Sequence, residues 1–206
     1  MLRPAYLIGG LLGAAAAAYG LFVWREKQSE QPDYRLVEAD GDIEIRDYPE
    51  LLVAESAAAG ERTAALNAGF RKLARYVFAE DRDGDSIAMT APVLSERGGP
   101  GWRTRLVIPA AVSHDELPPP GPGVEIVTVP ARRVAAIRFP GRATDQRLQA
   151  KEAALRTWLE KRGQAAGAVS YAFYNSPYVA PALRRNEVLI ELGERSDPAD
   201  HLTRSS

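Results

Sequence analysis

Ile43-Glu-Ile-Arg-Asp-Tyr-Pro-Glu-Leu-Leu-Val-Ala-Glu-Ser-Ala-Ala-Ala-Gly60 returns, without a gap, as Val124-Glu-Ile-Val-Thr-Val-Pro-Ala-Arg-Arg-Val-Ala-Ala-Ile-Arg-Phe-Pro-Gly141. Identical residues fall at Glu44/Glu125, Ile45/Ile126, Pro49/Pro130, Val53/Val134, Ala54/Ala135 and Gly60/Gly141. Proline and glycine keep register, and these are the residues that punctuate turns, so the repetition is structural. Beyond Gly60 the match continues with a shift of one. Leu66, Leu73, Tyr76 and Val77 then oppose Leu148, Leu155, Trp158 and Leu159, and later Pro92 stands opposite Pro177. Each half reads as strand, turn, strand, helix, strand, strand.

Periodicity supports that reading. Glu44 and Arg46 alternate with Ile43 and Ile45, the pattern of a half-buried strand, and Pro49 and Pro130 are expected to close hairpins. A first helix over Glu61 to Ala79 carries Leu66, Phe70, Leu73 and Val77 on one face. A second, over Asp145 to Arg162, carries Leu148, Leu155 and Leu159, with Gly163 as its stop signal. Ile87 to Val93, Leu106 to Ile108, Val134 to Phe139, Val169 to Tyr174 and Val188 to Leu192 read as strands. The Pro118-Pro-Pro-Gly-Pro-Gly123 run extends neither helix nor strand and joins the halves. The expected fold is α+β: duplicated strand-strand-helix-strand-strand halves forming a curved antiparallel sheet or distorted barrel flanked by two helices.

With 206 residues, 46% hydrophobic and 26% charged, the chain carries one domain plus an appendage. A net charge of -1 gives no electrostatic reason to expect nucleic acid. Cysteine is absent, which excludes disulfides, thiolate catalysis, Cys-ligated zinc and iron–sulfur clusters.

The appendage is N-terminal. Pro4 to Trp24 holds no charge and is bracketed by Arg3 and by Arg25 and Lys27, a length that suits a single membrane-crossing helix. A cleaved signal peptide, cut after the small residues Ala14 to Ala18, is the competing reading. Arg25 and Lys27 lean toward a cytoplasmic domain, but basic residues flank both ends and the side of the membrane stays undetermined. The organisation expected is an anchor and flanks over 1–28, a linker over 29–33, the domain over 34–193 and a polar tail over 194–206.

No catalytic constellation stands out. The histidines are His114, in a loop, and His201, in the tail, and neither neighbours a nucleophile in the pattern of a triad. Asp81-Arg-Asp-Gly-Asp85 begins like a calcium loop, but Ser86 and Pro92 occupy the positions that need glycine and glutamate. A binding surface remains. Gly69, with Ala65 and Ala68, thins the first helix, either for close packing on the sheet or to leave room for a flat ligand beside Leu66, Phe70 and Leu73. Arg71, Lys72 and Arg75 on that helix and Arg184 and Arg185 after the loop suit acidic groups. The plainer reading of Arg185 is a strand-end ion pair with Glu187.

Two segments, Ile87-Ala-Met-Thr-Ala-Pro-Val93 and Tyr174-Asn-Ser-Pro-Tyr-Val-Ala-Pro-Ala-Leu-Arg-Arg-Asn-Glu-Val188, resemble signature segments of the SOUL haem-binding family and stand in its order. The resemblance runs from about Tyr34 to Leu192. It implies a two-fold repeated fold binding haem or a related tetrapyrrole in an apolar cleft between the first helix and the late proline loop. By the Arg75-Tyr76-Val77 match, Phe70 lines that cleft and Arg75 is one of its basic residues. Asn67 departs from the pattern where a basic residue is expected, and Val179 and Ala180 leave the late loop without lysine. The ligand-binding set expected is Leu66, Phe70, Leu73, Arg71, Arg75, Tyr174, Tyr178 and Arg184, with Tyr174 or Tyr178 as a tyrosinate ligand if iron is held axially. Met89 is expected in the core. The functional expectation is a membrane-tethered haem carrier or buffer without catalysis. The alternatives are an enzyme acting on a tetrapyrrole and a small-molecule sensor of the gyrase-inhibitor-like kind.

Overall fold

The computed structural model describes residues 18–80 and 82–193. Residues 18–27 form helix α1. There follow β1 (Arg35–Asp40), β2 (Ile43–Tyr48), β3 (Leu51–Ala59), α2 (Arg62–Val77), β4 (Val93–Gly98), β5 (Gly101–Val107), β6 (Glu125–Val129), β7 (Arg132–Pro140), α3 (Asp145–Glu160), β8 (Ala166–Phe173) and β9 (Arg185–Leu192). All strand pairs are antiparallel, in the order β1-β2-β7-β9-β8-β4-β5-β3-β6.

That order is symmetric. Exchanging the halves (β2 with β6, β3 with β7, β4 with β8, β5 with β9) and reading backwards returns the same row, with β1 as an addition at one edge. The pseudo-two-fold passes between β4 and β8, paired from Val93↔Phe173 to Glu96↔Ser170. The same contact occurs twice: Ile45 pairs with Ala135, and their repeat counterparts Ile126 and Ala54 pair with each other. Each half thus lends its first strand to the other half's sheet.

This exchange corrects three expectations. Pro49 and Pro130 do not close hairpins. β2 pairs with β1 and β7, and β3 with β5 and β6, so each proline sits where the chain crosses from one half to the other. The sheet is curved but unclosed, with β1 and β6 as free edges, so the barrel alternative falls. The segment Ile87 to Pro92 is not a strand. β4 begins only at Val93, after a cis Ala91–Pro92 bond, and the segment before it lies under α2 with Ile87 N–H donating to Val77 O at 2.7 Å.

Alternation along the strands sorts the two faces. On one face α2 packs through Leu73, Tyr76 and Val77 against Ala54 and Leu106, with Met89 partly buried beside them as expected. On the same face α3 packs through Leu148, Leu155 and Leu159 against Phe139, Val188 and Ile190. Truncating any of the fully buried leucines costs about 2–5 kcal/mol. The Thr144 hydroxyl caps α3 by accepting Arg147 N–H at 3.3 Å, and Gly163, at φ 63°, follows the helix end in the left-handed region. Arg62, buried at the start of α2, pairs with Asp145 at the start of α3 (2.5 Å) and ties the two helices together.

The helix-free face is mixed. Ala91, Leu94, Ala136, Ala172, Tyr174 and Leu189 form one apolar cluster and Val53, Val107 and Val129 another. Around them stand the charged side chains of Arg46, Glu55, Glu96, Arg105 and Glu187.

The membrane span expected over Pro4 to Trp24 lies, up to residue 17, outside the described residues, as does the tail from Glu194. Among the described residues no helix is long and apolar enough to cross a membrane. The helical part that is described docks on the domain: Ser176 N–H donates to Glu26 (3.0 Å), Ala180 N–H to the Tyr19 hydroxyl (2.7 Å), and Val23 is buried. Residues 29–33 are stitched down as well, with Ala110 N–H on the Glu30 carboxylate and Ala91 N–H on Glu30 O, both at 2.8 Å.

Candidate functional site

The residues expected to bind a ligand separate into two groups. Leu66, Phe70, Leu73, Arg71 and Arg75 share α2. Leu73 is fully buried and belongs to the core, while Leu66 and Phe70 are half-buried and Arg71 is exposed. Leu66, Phe70, Ala74 and Phe78 follow one another at i, i+4, i+8 and i+12, an apolar ridge along the helix ending in the 49% exposed Phe78. Arg71 and Arg75 stand one residue round from this ridge. Phe78 falls inside the helix expected over Glu61 to Ala79, but the apolar face read there turned onto Leu73 and Val77 and passed it by.

Gly69 lies on the opposite side of α2 and answers the question of its role. A Cβ there would stand 2.6 Å from Thr104 Oγ1 and 3.4 Å from Ser56 O, so the glycine lets the helix press on the sheet. It leaves no room for a ligand.

The second group belongs to the late loop. Tyr174 is buried in the cluster on the helix-free face, and its hydroxyl donates to Glu187 at 2.8 Å. Burial, then the Glu187 charge, pushes this phenol well above its ordinary range, so it is a neutral donor and not a tyrosinate ready for iron. Tyr178 is 81% exposed. Arg184 spends its guanidinium on the loop itself, donating to Val179 O (2.7 Å) and Pro177 O (2.6 Å).

Glu187 is the centre that sequence reading caught only in part. Besides the expected bond from Arg185 (2.8 Å), it accepts from Arg46 at 2.7 and 3.0 Å and from Arg138 at 3.1 Å. Burial alone would raise its pKa, but the hydrogen bonds and charge of Arg46, with the charge of Arg185, hold it down to about 2. The Arg185 guanidinium also lies 3.8 Å over the Tyr174 ring, so the network fixes the loop's two ends.

Cavities open at several places among the described residues. An inter-helix cavity of about 650 Å³ lies over the pseudo-two-fold, floored by Trp102, Leu148 and Tyr171. Burial, then a bond to Glu152, pushes the Tyr171 phenol up to about 12. A lateral cavity of about 610 Å³ runs between residues 30–33, Leu51, Leu52, Ile108 and Val112. It is bordered by Glu30, Asp33, Glu50 and the exposed His114. An inner cavity of about 250 Å³ lies on the helix-free face. Among the described residues no cluster of His, Cys, Asp or Glu is placed to hold a metal ion.

A duplicated α+β domain with an apolar helix ridge, flanking arginines and several cavities is the frame of a small-molecule-binding module. The chain belongs to the family described as SOUL heme-binding protein, whose pattern it matches over residues 29–191. No curated protein matches the chain. Among solved structures it is similar to the C-terminal domain of EcmrR (10% identity, 78% of this chain and 98% of that one, TM-score 0.57). It is also similar to a hydrolase from Listeria innocua (12% identity, 76% and 94% covered, TM-score 0.51). At these identities the likeness is one of fold.

Haem, which the family implies, asks for an apolar plate, cations for two propionates and, where the iron is ligated, a donor atom. The α2 ridge with Arg71 and Arg75 supplies the first two, so the residues present fit a tetrapyrrole held by its face and its acids. His114 borders the lateral cavity, whose other ionisable side chains are carboxylates that would repel propionates.

Proposed function

We propose that this chain binds haem or a related tetrapyrrole reversibly, as a carrier or buffer. The observation that carries the reading is the apolar ridge Leu66–Phe70–Ala74–Phe78 beside Arg71 and Arg75, on a chain of the SOUL family. The ring lies against Phe70 and Phe78, the arginines pair with the propionates, and exposed Tyr178 is the member of the late loop left to meet the ligand. Leu73, Tyr174 and Arg184 act behind this surface, through the core and the loop. Bound haem supplies iron that can cycle between oxidation states, and the side chains here orient and shield it.

The test is a haemin titration of the full chain in mild detergent, followed in the Soret region. Wild type is expected to saturate at one equivalent, and Phe78→Ser combined with Arg71→Ala to weaken binding at least tenfold. Unchanged binding in that double variant overturns the ridge.

Membrane tethering is part of the proposal and rests on the uncharged run from Pro4 to Trp24. Fractionation of expressing cells should place the intact chain with membranes, and an intact chain in the soluble fraction overturns the tether.

A second reading, a small-molecule sensor domain, is favoured by the lateral cavity. Its apolar floor and border of Glu30, Asp33 and Glu50, without lysine or arginine, suit a lipophilic cation rather than haem.

A further inference from the structure

The cavities differ in how their charges are spent. In the inter-helix cavity Arg62 is paired with Asp145, Arg156 with Glu152 (2.9 Å), and Arg97 lies 4.9 Å over the Trp102 ring. The lateral cavity is lined by no lysine or arginine among the described residues.

The inner cavity is unlike both. It opens where the curl of the sheet brings Val127 to Arg132, the end of β6 and the crossing turn, opposite β8 and β9. Its polar residues include Glu96, Arg105, Arg132 and Glu191. Arg105 donates to Glu55 and to Glu96, each at 2.6 Å, and Arg103 takes the other oxygen of Glu96 at 2.8 Å. In that group the carboxylates are shared between arginines, although Arg103 Nε is also buried without a hydrogen-bond partner. Arg132 is not part of it: its Nη1 is buried and has no hydrogen-bond partner. The Arg132 side chain is half-buried and lines the cavity, and its partnerless Nη1 leaves the guanidinium with donor capacity for an acidic ligand. The walls beside it are apolar, formed by Val127, Val129, Val134 and Leu189.

We propose that the inner cavity binds a small monocarboxylate with an apolar body, its carboxylate on Arg132 and its body against the valine wall. Volume limits the size. About 250 Å³ is below the roughly 300–1,000 Å³ of sites for drug-sized ligands, so a tetrapyrrole does not enter. Charge selects a singly charged acid over phosphate, because Glu96 and Glu191 line the same space and repel a dianion. Burial first, and then the Arg105 charge, lower the Arg132 pKa while Glu191 and Glu96 raise it, as expected of a desolvated cation without a direct partner. The cavity lies on the face away from α2, so this site stands or falls independently of the tetrapyrrole reading.

The experiment is calorimetric titration of the full chain with benzoate and butyrate, with inorganic phosphate as the counter-probe. Saturable one-to-one binding of a carboxylate is expected, with phosphate at least tenfold weaker. Arg132→Met, which keeps the side-chain bulk, should reduce carboxylate binding at least tenfold without lowering Tm, since a half-buried cation with a partnerless Nη1 has been removed. Val127→Phe, which fills the cavity and keeps the arginine, should abolish binding and decides the matter if Arg132→Met fails to fold. No carboxylate binding to wild type at millimolar concentration overturns the proposal. So does binding that survives either folded variant unchanged.

Discussion

Glu187 shows what one residue can organise. Its carboxylate is fully buried yet ionised, because guanidinium groups from β2, β7 and β9 converge on it. Replacing it with glutamine leaves these cations without their counter-charge, so Glu187→Gln is expected to destabilise the domain by about 3–5 kcal/mol in urea unfolding. The pH dependence follows from the depressed pKa. A carboxyl near 2 when folded and 4.5 when unfolded stabilises the domain above pH 4.5 and loses that contribution as pH falls toward 2. Wild-type stability should fall across that window by on the order of 3 kcal/mol from this group, and the Glu187→Gln variant should lack that component. The Arg185–Glu187 pair was legible in sequence because i and i+2 share a strand face. Arg46 was not, since strand register alone brings residues so far apart in the chain together.

Among the elements, the two helices were the most legible, because their apolar faces repeat over several turns and a glycine follows α3. β1 was missed. Every residue from Arg35 to Asp40 is exposed, so this edge strand carries no in–out alternation to read. The prolines at 49 and 130 misled for a different reason: a turn signal marks a change of direction and says nothing about which strand the next one joins. The helix-to-sheet contact at Gly69 supports a test at this scale. Gly69→Ala gains up to about 1 kcal/mol of helix propensity but drives a methyl into the buried Thr104, an overpacking cost of about 1–3 kcal/mol. We expect a net loss of about 1–2 kcal/mol, read as a lower Tm, whereas a higher Tm would show that α2 lifts off the sheet easily.

At the scale of the whole molecule, duplication is the organising fact, and it was legible because proline and glycine positions survive where side chains have diverged. What the repeat could not convey is the exchange of first strands, which turns two halves into one sheet with a distinct inner face. The surface proposed to hold the ligand was legible in part through helical periodicity. A face pattern finds Leu66, Phe70, Arg71 and Arg75, but it cannot tell that Leu73 and Tyr174 are taken up by the core and by the Glu187 network. The proposed function puts a tetrapyrrole along α2. The most direct measurement is amide chemical-shift mapping on the full chain with diamagnetic zinc protoporphyrin as the probe. Saturable shifts concentrated on residues 66–78 and reaching Tyr178 are expected. Shifts confined to residues 107–114 and 30–33, or no saturable shifts at all, would contradict it.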